Sequence, residues 1–505
     1  MSSTSALTKA LGVGRALAAI KDTDELLEHI LAQAREITGA EGASIYTVDA
    51  ANHVVFRAWQ NAITGGEVFF SRATVSPFSL AGYVVRNNVT LNLDDVYTIP
   101  EDAPYRFDDS WDRKSGYRTR SVLTVPMSDK KGQVLGALQL INCLDEHSSE
   151  RKIVAFDDER IAISQSLAGQ AGVALENQQL YAEIEHLLEG MIVASVTAIE
   201  SRDPTTAGHS ARVADSCLQL AQLVATATTP AFAPYQFSAQ KLKELRYAAL
   251  LHDFGKVGVR EHVLVKAEKL YPRQYEAIQL RFALARESYV RRAYQSLLDT
   301  AIAKGWDTAT LKSHQVRTER EIADEMTRLD AYFDVVNAAK QASVLTASVS
   351  AALHELIAYP VHLVTGGSLA LIDSYAFDSL SVTKGSLRDD ERHEIESHVT
   401  HTYQFLKQIP WGRELKNVAN IAHAHHEKLD GSGYPQGLRA DEIPMQSQIM
   451  AVCDIFDALT AWDRPYKKAV PELKALDILR MEARAGKLNV DLVDAFCHLR
   501  MQATT

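Results

Sequence analysis

The feature that most constrains this chain is a set of histidines and aspartates set against apolar helical patterns. Leu242, Leu245, Ala249 and Leu250 recur at helical spacing and lead directly into Leu251-His252-Asp253-Phe254-Gly255-Lys256. A second pattern, Val418, Ile421 and Ala422, leads into His425-His426-Glu427 and a loop in which Gly431, Gly433 and Pro435 end the helix. A third run places Asp454 and Asp457 three residues apart, hence on one helical face, among Ile449, Ile455, Phe456 and Leu459. A carboxylate on an apolar face needs a partner, because an unpaired buried charge is costly. A metal ion would supply one.

The residue types suit that reading. An imidazole beside a carboxylate can hold one divalent metal while the carboxylate reaches a second, and Gly255 lets the backbone turn away at once. Adjacent imidazoles at His425 and His426 can reach two metals, or one metal and a substrate. Lys256, and Arg464 and Lys467 in Asp463-Arg464-Pro465-Tyr466-Lys467, are cations suited to phosphate oxygens. The pattern is that of a metal-assisted phosphodiesterase.

At 505 residues the chain is too long for one ordinary domain. Hydrophobic residues make up 46% and charged residues 23%, the balance of folded globular proteins. A formal net charge of -11 argues against a general binder of nucleic acid polymers, so an anionic substrate must be met by local cations or metal. Cys143, Cys217, Cys453 and Cys497 are scattered without a CxxC spacing, as expected of buried thiols in a reducing compartment. Residues 1–20 form an N-terminal segment without a signal-peptide pattern, and no apolar run is long enough for a membrane helix. A cytoplasmic protein with no membrane segment is expected.

The first domain opens on a helix over Asp24 to Ile37, with Gly39 as its stop. Strand patterns follow at Ala43 to Val48, Val54 to Ala58, Thr90 to Leu93, Ser121 to Pro126 and Val134 to Ile141, with a turn at Asp129 to Gly132. The opening helix, Ser44 to Ala50, Ser121 to Met127 and Gly136 to Asn142 resemble a GAF domain over residues 21–180. That resemblance implies an α+β sensor, an antiparallel sheet with flanking helices, able to take a small-molecule ligand. Asn142, Phe156, Asp158 and Glu159 partly match a cyclic-nucleotide pattern of such domains, but Cys143 stands in place of its Lys and the spacing after Phe156 is too short. The ligand is left unassigned.

Residues 158–200 read as a connecting helix, with Leu180, Ile184, Leu187 and Met191 at heptad steps. The seam is either core of its own domain or the contact of a homodimer, and its place between two domains favours the dimer. Residues 271–381 read as a further helical unit, with Ile322, Met326, Leu329, Phe333 and Val336 at similar steps and only scattered His314, His354 and His362.

Together the His, Asp and Gly-Tyr-Pro motifs resemble the HD-GYP family, a branch of the HD phosphohydrolases that hydrolyses cyclic di-GMP. The resemblance covers about residues 190–270 and 382–500 of a domain spanning 190–505. It implies metal ligation by His209, His252, Asp253, His398, His425, His426 and Asp454, catalysis by Asp253 with Lys256, and substrate contact by Lys256, Arg464 and Lys467. His398 takes the place of the family's lone His, with His401 the alternative. Two divalent ions, Fe or Mn, are implied; a third is not expected, because Thr205 stands where three-metal members carry a Glu, and Asp203 lies two residues away. The fold class expected is therefore multidomain: a GAF sensor, a long helix, and an all-α HD-GYP domain with a helical insertion at about 271–381. The product would be pGpG, or GMP after a second cut, and a diguanylate cyclase is a candidate partner. The rival readings are another cyclic dinucleotide or nucleotide as substrate, and a non-hydrolysing cyclic di-GMP receptor or docking protein.

Overall fold

Asp22 caps the first helix, α1 (Thr23–Thr38), its carboxylate accepting from the amides of Asp24 and Glu25, and Gly39 ends it in the left-handed conformation. The computed structural model describes residues 20, 22–49, 51–61, 67–145, 152–202, 207–227, 230–341, 344–461 and 469–503. Among these, one sheet holds β1 (Ala40–Val48), β2 (Val54–Asn61), β3 (Val68–Thr74), β4 (Leu91–Leu93), β5 (Val122–Ser128), β6 (Val134–Leu144) and β7 (Ile153–Val154). The order is β3-β2-β1-β6-β5-β4, with β7 on β6, and every pairing is antiparallel. The strands β3 and β7 were not among those expected from sequence. β3 is an edge strand exposing Phe69 and Phe70, so it lacks the alternation that marks a half-buried strand.

The period of two decides what each face meets. Ile45, Leu138 and Leu140 face α1, with its Leu26, Leu27, Ile30 and Leu31, and the start of a long helix, with its Ile163, Leu167 and Leu175. The other face carries α2 (Leu80–Asn87), whose Ala81 and Val84 pack on Ala137. Beside it, near the short helix α3 (Ser110–Ser115), a cavity of about 490 Å³ is lined by Trp59, Gln139, Ile141, Trp111 and Tyr117. Asn142 is bonded within the protein, its NH2 group also facing Glu41. Its amide is spent on the Arg120 amide, the Arg118 carbonyl and the Tyr117 hydroxyl.

The long helix is α4 (Asp158–Glu200), of 43 residues. It carries the chain from one unit, residues 1–189, into a second, residues 190–505. Its first part is core, whereas Leu180, Ile184, Leu187 and Met191 are between 48% and 65% exposed. Among the described residues the heptad seam is therefore largely uncovered.

The second unit begins with α5 (His209–Thr226) and α6 (Ala239–Leu251), which pack on each other, and the short α7 (Glu261–Leu264). The chain goes on as α8 (Pro272–Lys304), α9 (Thr308–Gln341), α10 (Ala347–Ala358), a two-stranded hairpin of β8 (Pro360–His362) and β9 (Ser368–Ala370), and α11 (Ser374–Leu380). The core of this stretch takes in Phe282, Leu329, Val336, Leu353, Val361 and Leu380. The hairpin departs from the helical expectation here. The chain then continues through α12 (Asp389–Leu406), α13 (Val418–His423), α14 (Met445–Thr460), α15 (Glu472–Arg484) and α16 (Val490–Ala503). No helix among the described residues is long and apolar enough to cross a membrane.

A buried latch ties the residues before α8 to the start of α12. Lys266 Nζ donates to both oxygens of Glu391 at 2.8 and 2.6 Å, the two side chains being 1% and 2% exposed. The Tyr271 hydroxyl donates to the same carboxylate at 2.6 Å, and Lys269 Nζ donates to the Val382 and Leu380 carbonyls. These bonds set the start of α12 although a hundred-residue excursion precedes it. Glu391→Gln leaves the Lys266 ammonium buried and unpaired, so a loss of about 3–5 kcal/mol is expected at pH 7. Burial alone would raise the Glu391 carboxyl, but the hydrogen bonds from Lys266 and Tyr271 hold it below its ordinary value. Its contribution is therefore complete above the unfolded value of about 4.3 and is lost as pH falls through the lower folded value. In urea titrations the gap between wild type and variant should narrow below about pH 4; a gap that stays constant would sink this assignment.

Candidate metal centre

Helix ends build this site. His252 is the C-terminal cap of α6, where the last carbonyls have lost their helical partners. Its Nδ1 lies 2.7 Å from the Ala249 carbonyl oxygen. His398, inside α12, repeats the arrangement with the Ile395 carbonyl at 2.6 Å, and His425, just past α13, repeats it with the Ala422 carbonyl at 2.6 Å. A carbonyl only accepts, so each Nδ1 carries the proton and each Nε2 presents a lone pair. All three Nε2 atoms are buried without a hydrogen-bond partner. Each such atom costs about 1–3 kcal/mol, and three together rival much of a domain's net stability.

These lone pairs converge on two carboxylates. Asp253 Oδ1 is 3.2 Å from His398 Nε2, while its Oδ2 is 3.5 Å from His252 Nε2 and 3.8 Å from His209 Nε2. Asp454 Oδ1 lies 3.1 Å from His209 Nε2 and 3.7 Å from His252 Nε2, and its Oδ2 lies 3.8 Å from His426 Nδ1. An acceptor facing an acceptor at 3.2 Å requires something positive between them. Three groups have ligand atoms mutually within 4.8 Å: His398, His425 and His426; His209, His252 and Asp253; His252, His425 and Asp454. Imidazole with carboxylate is a donor set for a divalent transition ion, and the orphaned nitrogens fit it.

The electrostatics of the two carboxylates and of the His425–His426 pair agree with that fit, whereas His209 and His252 are drawn toward the protonated form that a metal ion would replace. Burial alone would raise the Asp253 carboxyl, but Lys256, His252 and His398 hold it well below the usual range. Asp454 is likewise held low, against burial, by His209 and His252. Burial pushes the His425 imidazole well below its ordinary value and His426 down to about 4, so both are neutral and able to donate a lone pair. Burial opposes charge on His209 as well, yet Asp454 and Asp457 override it and raise the imidazole to about 10. Lys256 Nζ stands 2.7 Å from Asp253 Oδ2.

Neighbouring residues hold the frame. The Thr402 hydroxyl donates to the His252 carbonyl at 2.9 Å and accepts from the Gly255 amide at 2.8 Å, joining α12 to the turn after α6. Glu427 is buried and accepts from the Gln436 and Leu438 amides, so the Glu of the His-His-Glu motif folds the following loop. That loop sets the Tyr434 ring 4.8 Å from His426.

The structure thus gathers His209, His252, Asp253, Lys256, His398, His425, His426 and Asp454. His401, the alternative to His398, faces Gly258 instead. Arg464, Lys467, Thr205 and Asp203 lie outside the described residues. Sequence reasoning gave Asp457 a metal as its missing partner, and here a correction is due. Its carboxylate is engaged by Arg212 and by His209 Nδ1. Arg212 had no role in the expectation, though its place one turn after His209 was a signal that they share a face.

A family model described as a GAF domain matches residues 22–175, and one described as an HD domain matches residues 319–492. The chain combines a GAF domain with an HD domain. The HD fold is that of metal-dependent phosphohydrolases, in keeping with the His/Asp clusters. The HD match starts within α9, so His209, His252 and Asp253 precede it and are joined to the HD domain's other candidates by the fold. The chain is 44% identical over 95 residues to the 3'3'-cGAMP-specific phosphodiesterase 3 of Vibrio cholerae serotype O1, covering 19% of this chain and 20% of that protein. It is 40% identical over 126 residues to the cyclic di-GMP phosphodiesterase response regulator RpfG of Xanthomonas campestris pv. campestris, 25% of this chain and 32% of the relative. It is 37% identical over 128 residues to a cyclic di-GMP phosphodiesterase of Thermotoga maritima, 25% of this chain and 34% of the relative. The chain therefore spans about a third or less of the length of these relatives.

Gly255 is required by this packing. A Cβ there would stand 1.9 Å from the His398 carbonyl oxygen and 2.5 Å from the Thr402 amide nitrogen. Gly255→Ala must push α12 away from the centre, at an expected cost of about 1–3 kcal/mol. Chemical denaturation together with metal content per chain checks this, and wild-type values in both would refute it.

Proposed function

We propose that this chain is a metal-dependent phosphodiesterase that hydrolyses cyclic di-GMP to pGpG, or on to GMP, under control of its GAF domain. The observation that carries the reading is the three buried imidazoles whose Nδ1 atoms are tied back to carbonyls and whose Nε2 atoms, without a hydrogen-bond partner, cluster with Asp253 or Asp454 or with one another. In this reading two divalent ions, Fe or Mn, are held by His209, His252, His398, His425, His426, Asp253 and Asp454. Bound there, they would activate water and neutralise charge at phosphorus. Asp253 offers one oxygen to each side of the centre, and Lys256, already beside it, supplies a cation for the developing charge on the phosphoryl group. Arg464 and Lys467 are proposed as further substrate contacts. The domain limits proposed are 21–180 for the GAF sensor, 158–200 for the connecting helix and 190–505 for the HD-GYP output with its insertion at about 271–381.

The name of the Vibrio cholerae relative favours a second substrate, 3'3'-cGAMP, which shares the phosphodiester chemistry. Purified protein loaded with manganese or anaerobically with iron should convert one of these two dinucleotides to a linear product. Asp253→Ala should abolish the reaction while leaving the helical content intact. Near-wild-type turnover by that variant with metal bound would overturn the mechanism.

The exposed seam Leu180, Ile184, Leu187 and Met191 supports a parallel homodimer through α4, the path from a GAF ligand to the site. A diguanylate cyclase, the source of such a substrate, is a proposed partner in signalling. Charged residues at Leu180 and Leu187 should shift the mass measured by light scattering from dimer to monomer at micromolar concentration. A monomeric wild type would dispose of this assembly.

A further inference from the structure

Two interlocked pairs surround His209. On α5, Arg212 follows His209 by one turn; on α14, Asp457 follows Asp454 by one turn. His209 Nε2 faces Asp454 at 3.1 Å, and its Nδ1 is 2.7 Å from Asp457 Oδ2. Arg212 grips the same carboxylate from the other side, Nε to Oδ1 at 2.7 Å and Nη2 to Oδ2 at 3.0 Å. Both oxygens of Asp457 are therefore engaged, and Asp457 is in none of the three groups of candidate ligands. His252, His398 and His425 have their Nδ1 protons held by neutral backbone carbonyls, whereas His209 has a carboxylate.

We propose that Asp457, braced by Arg212, is a positioning residue that fixes His209 as a metal ligand and strengthens its donor nitrogen. This rests on the metal-centre reading above. A carboxylate that accepts from the far nitrogen of a ligating imidazole sets the ring's orientation and tautomer and raises the basicity of the nitrogen on the metal. The brace adds what a lone carboxylate lacks. Arg212 presents its donors in a fixed plane, so Asp457 cannot turn away from His209. The brace adds an ion pair between α5 and α14, which also pack on each other.

The discriminating variant is Asp457→Asn, which keeps the volume but must turn an NH2 toward either Arg212 or His209, both of them donors. Full-length protein stripped of metal is titrated with Mn2+ by calorimetry, with electron paramagnetic resonance counting bound ions. Wild type should bind two ions. In Asp457→Asn one site should weaken about 10–100-fold while the other keeps its affinity. Arg212→Met should move the same site in the same direction by less, and excess Mn2+ should restore activity to both variants. If Asp457→Asn binds both ions with wild-type affinity but loses activity or thermal stability, the brace is merely structural and the proposal fails. If Asp457→Asn does not fold, Arg212→Met decides alone, and wild-type affinity in it overturns the proposal. A wild type that binds no divalent ion would instead remove the metal reading itself.

Discussion

The bond on which the rest of the second unit depends is the one from an imidazole Nδ1 to the carbonyl three residues earlier. Repeated at His252, His398 and His425, it fixes each ring's tautomer before any ligand arrives and leaves an inward lone pair that the protein does not satisfy. A fold keeps such atoms only where something else completes them. The surrounding structure holds that geometry against its own cost. Thr402 and Gly255 fix the approach of α12 to the turn after α6, Glu427 folds the loop past His426, and Arg212 with Asp457 holds the ring of His209.

The same requirement bears on the long helical stretch between α7 and α12. A ligand on α12 must stay in register with one on α6 although seven elements, α7 to α11 with β8 and β9, intervene, and the Lys266–Glu391–Tyr271 cluster ties the residues before α8 to the start of α12. A buried ion pair contributes little net stability, but it penalises any arrangement that separates its members. Here such an arrangement would also move His398. The first unit uses different physics. Its sheet is fixed by alternation, one face closed by α1 and α4 and the other opening to a cavity walled by aromatic rings.

Much of this was legible in the sequence. The helix over 24–37, most of the strands, the largely helical character of residues 271–381 and the gathering of His209, His252, Asp253, His398, His425, His426 and Asp454 were expected from periodicity, motif spacing and family resemblance. The edge strand β3 was not, because an exposed strand has no buried face to leave a pattern. The small hairpin β8-β9 was missed for a related reason, its strands being three residues each.

What the sequence determined by itself was the list of groups that could not be buried alone, and hence that the chain had to bring some of them together. Local spacing can say that Asp454 and Asp457 share a helical face, since three residues make nearly one turn. It cannot say what stands opposite that face. Only the tertiary structure decided that Asp454 turns to the imidazoles while Asp457 turns to Arg212 and His209, because the choice is made by α5, whose residues lie some 245 positions away in the chain. Likewise the motif supplied the imidazoles, but the orphaned nitrogens appear only once backbone carbonyls have claimed the opposite ring atoms, a matter of helix ends in three dimensions.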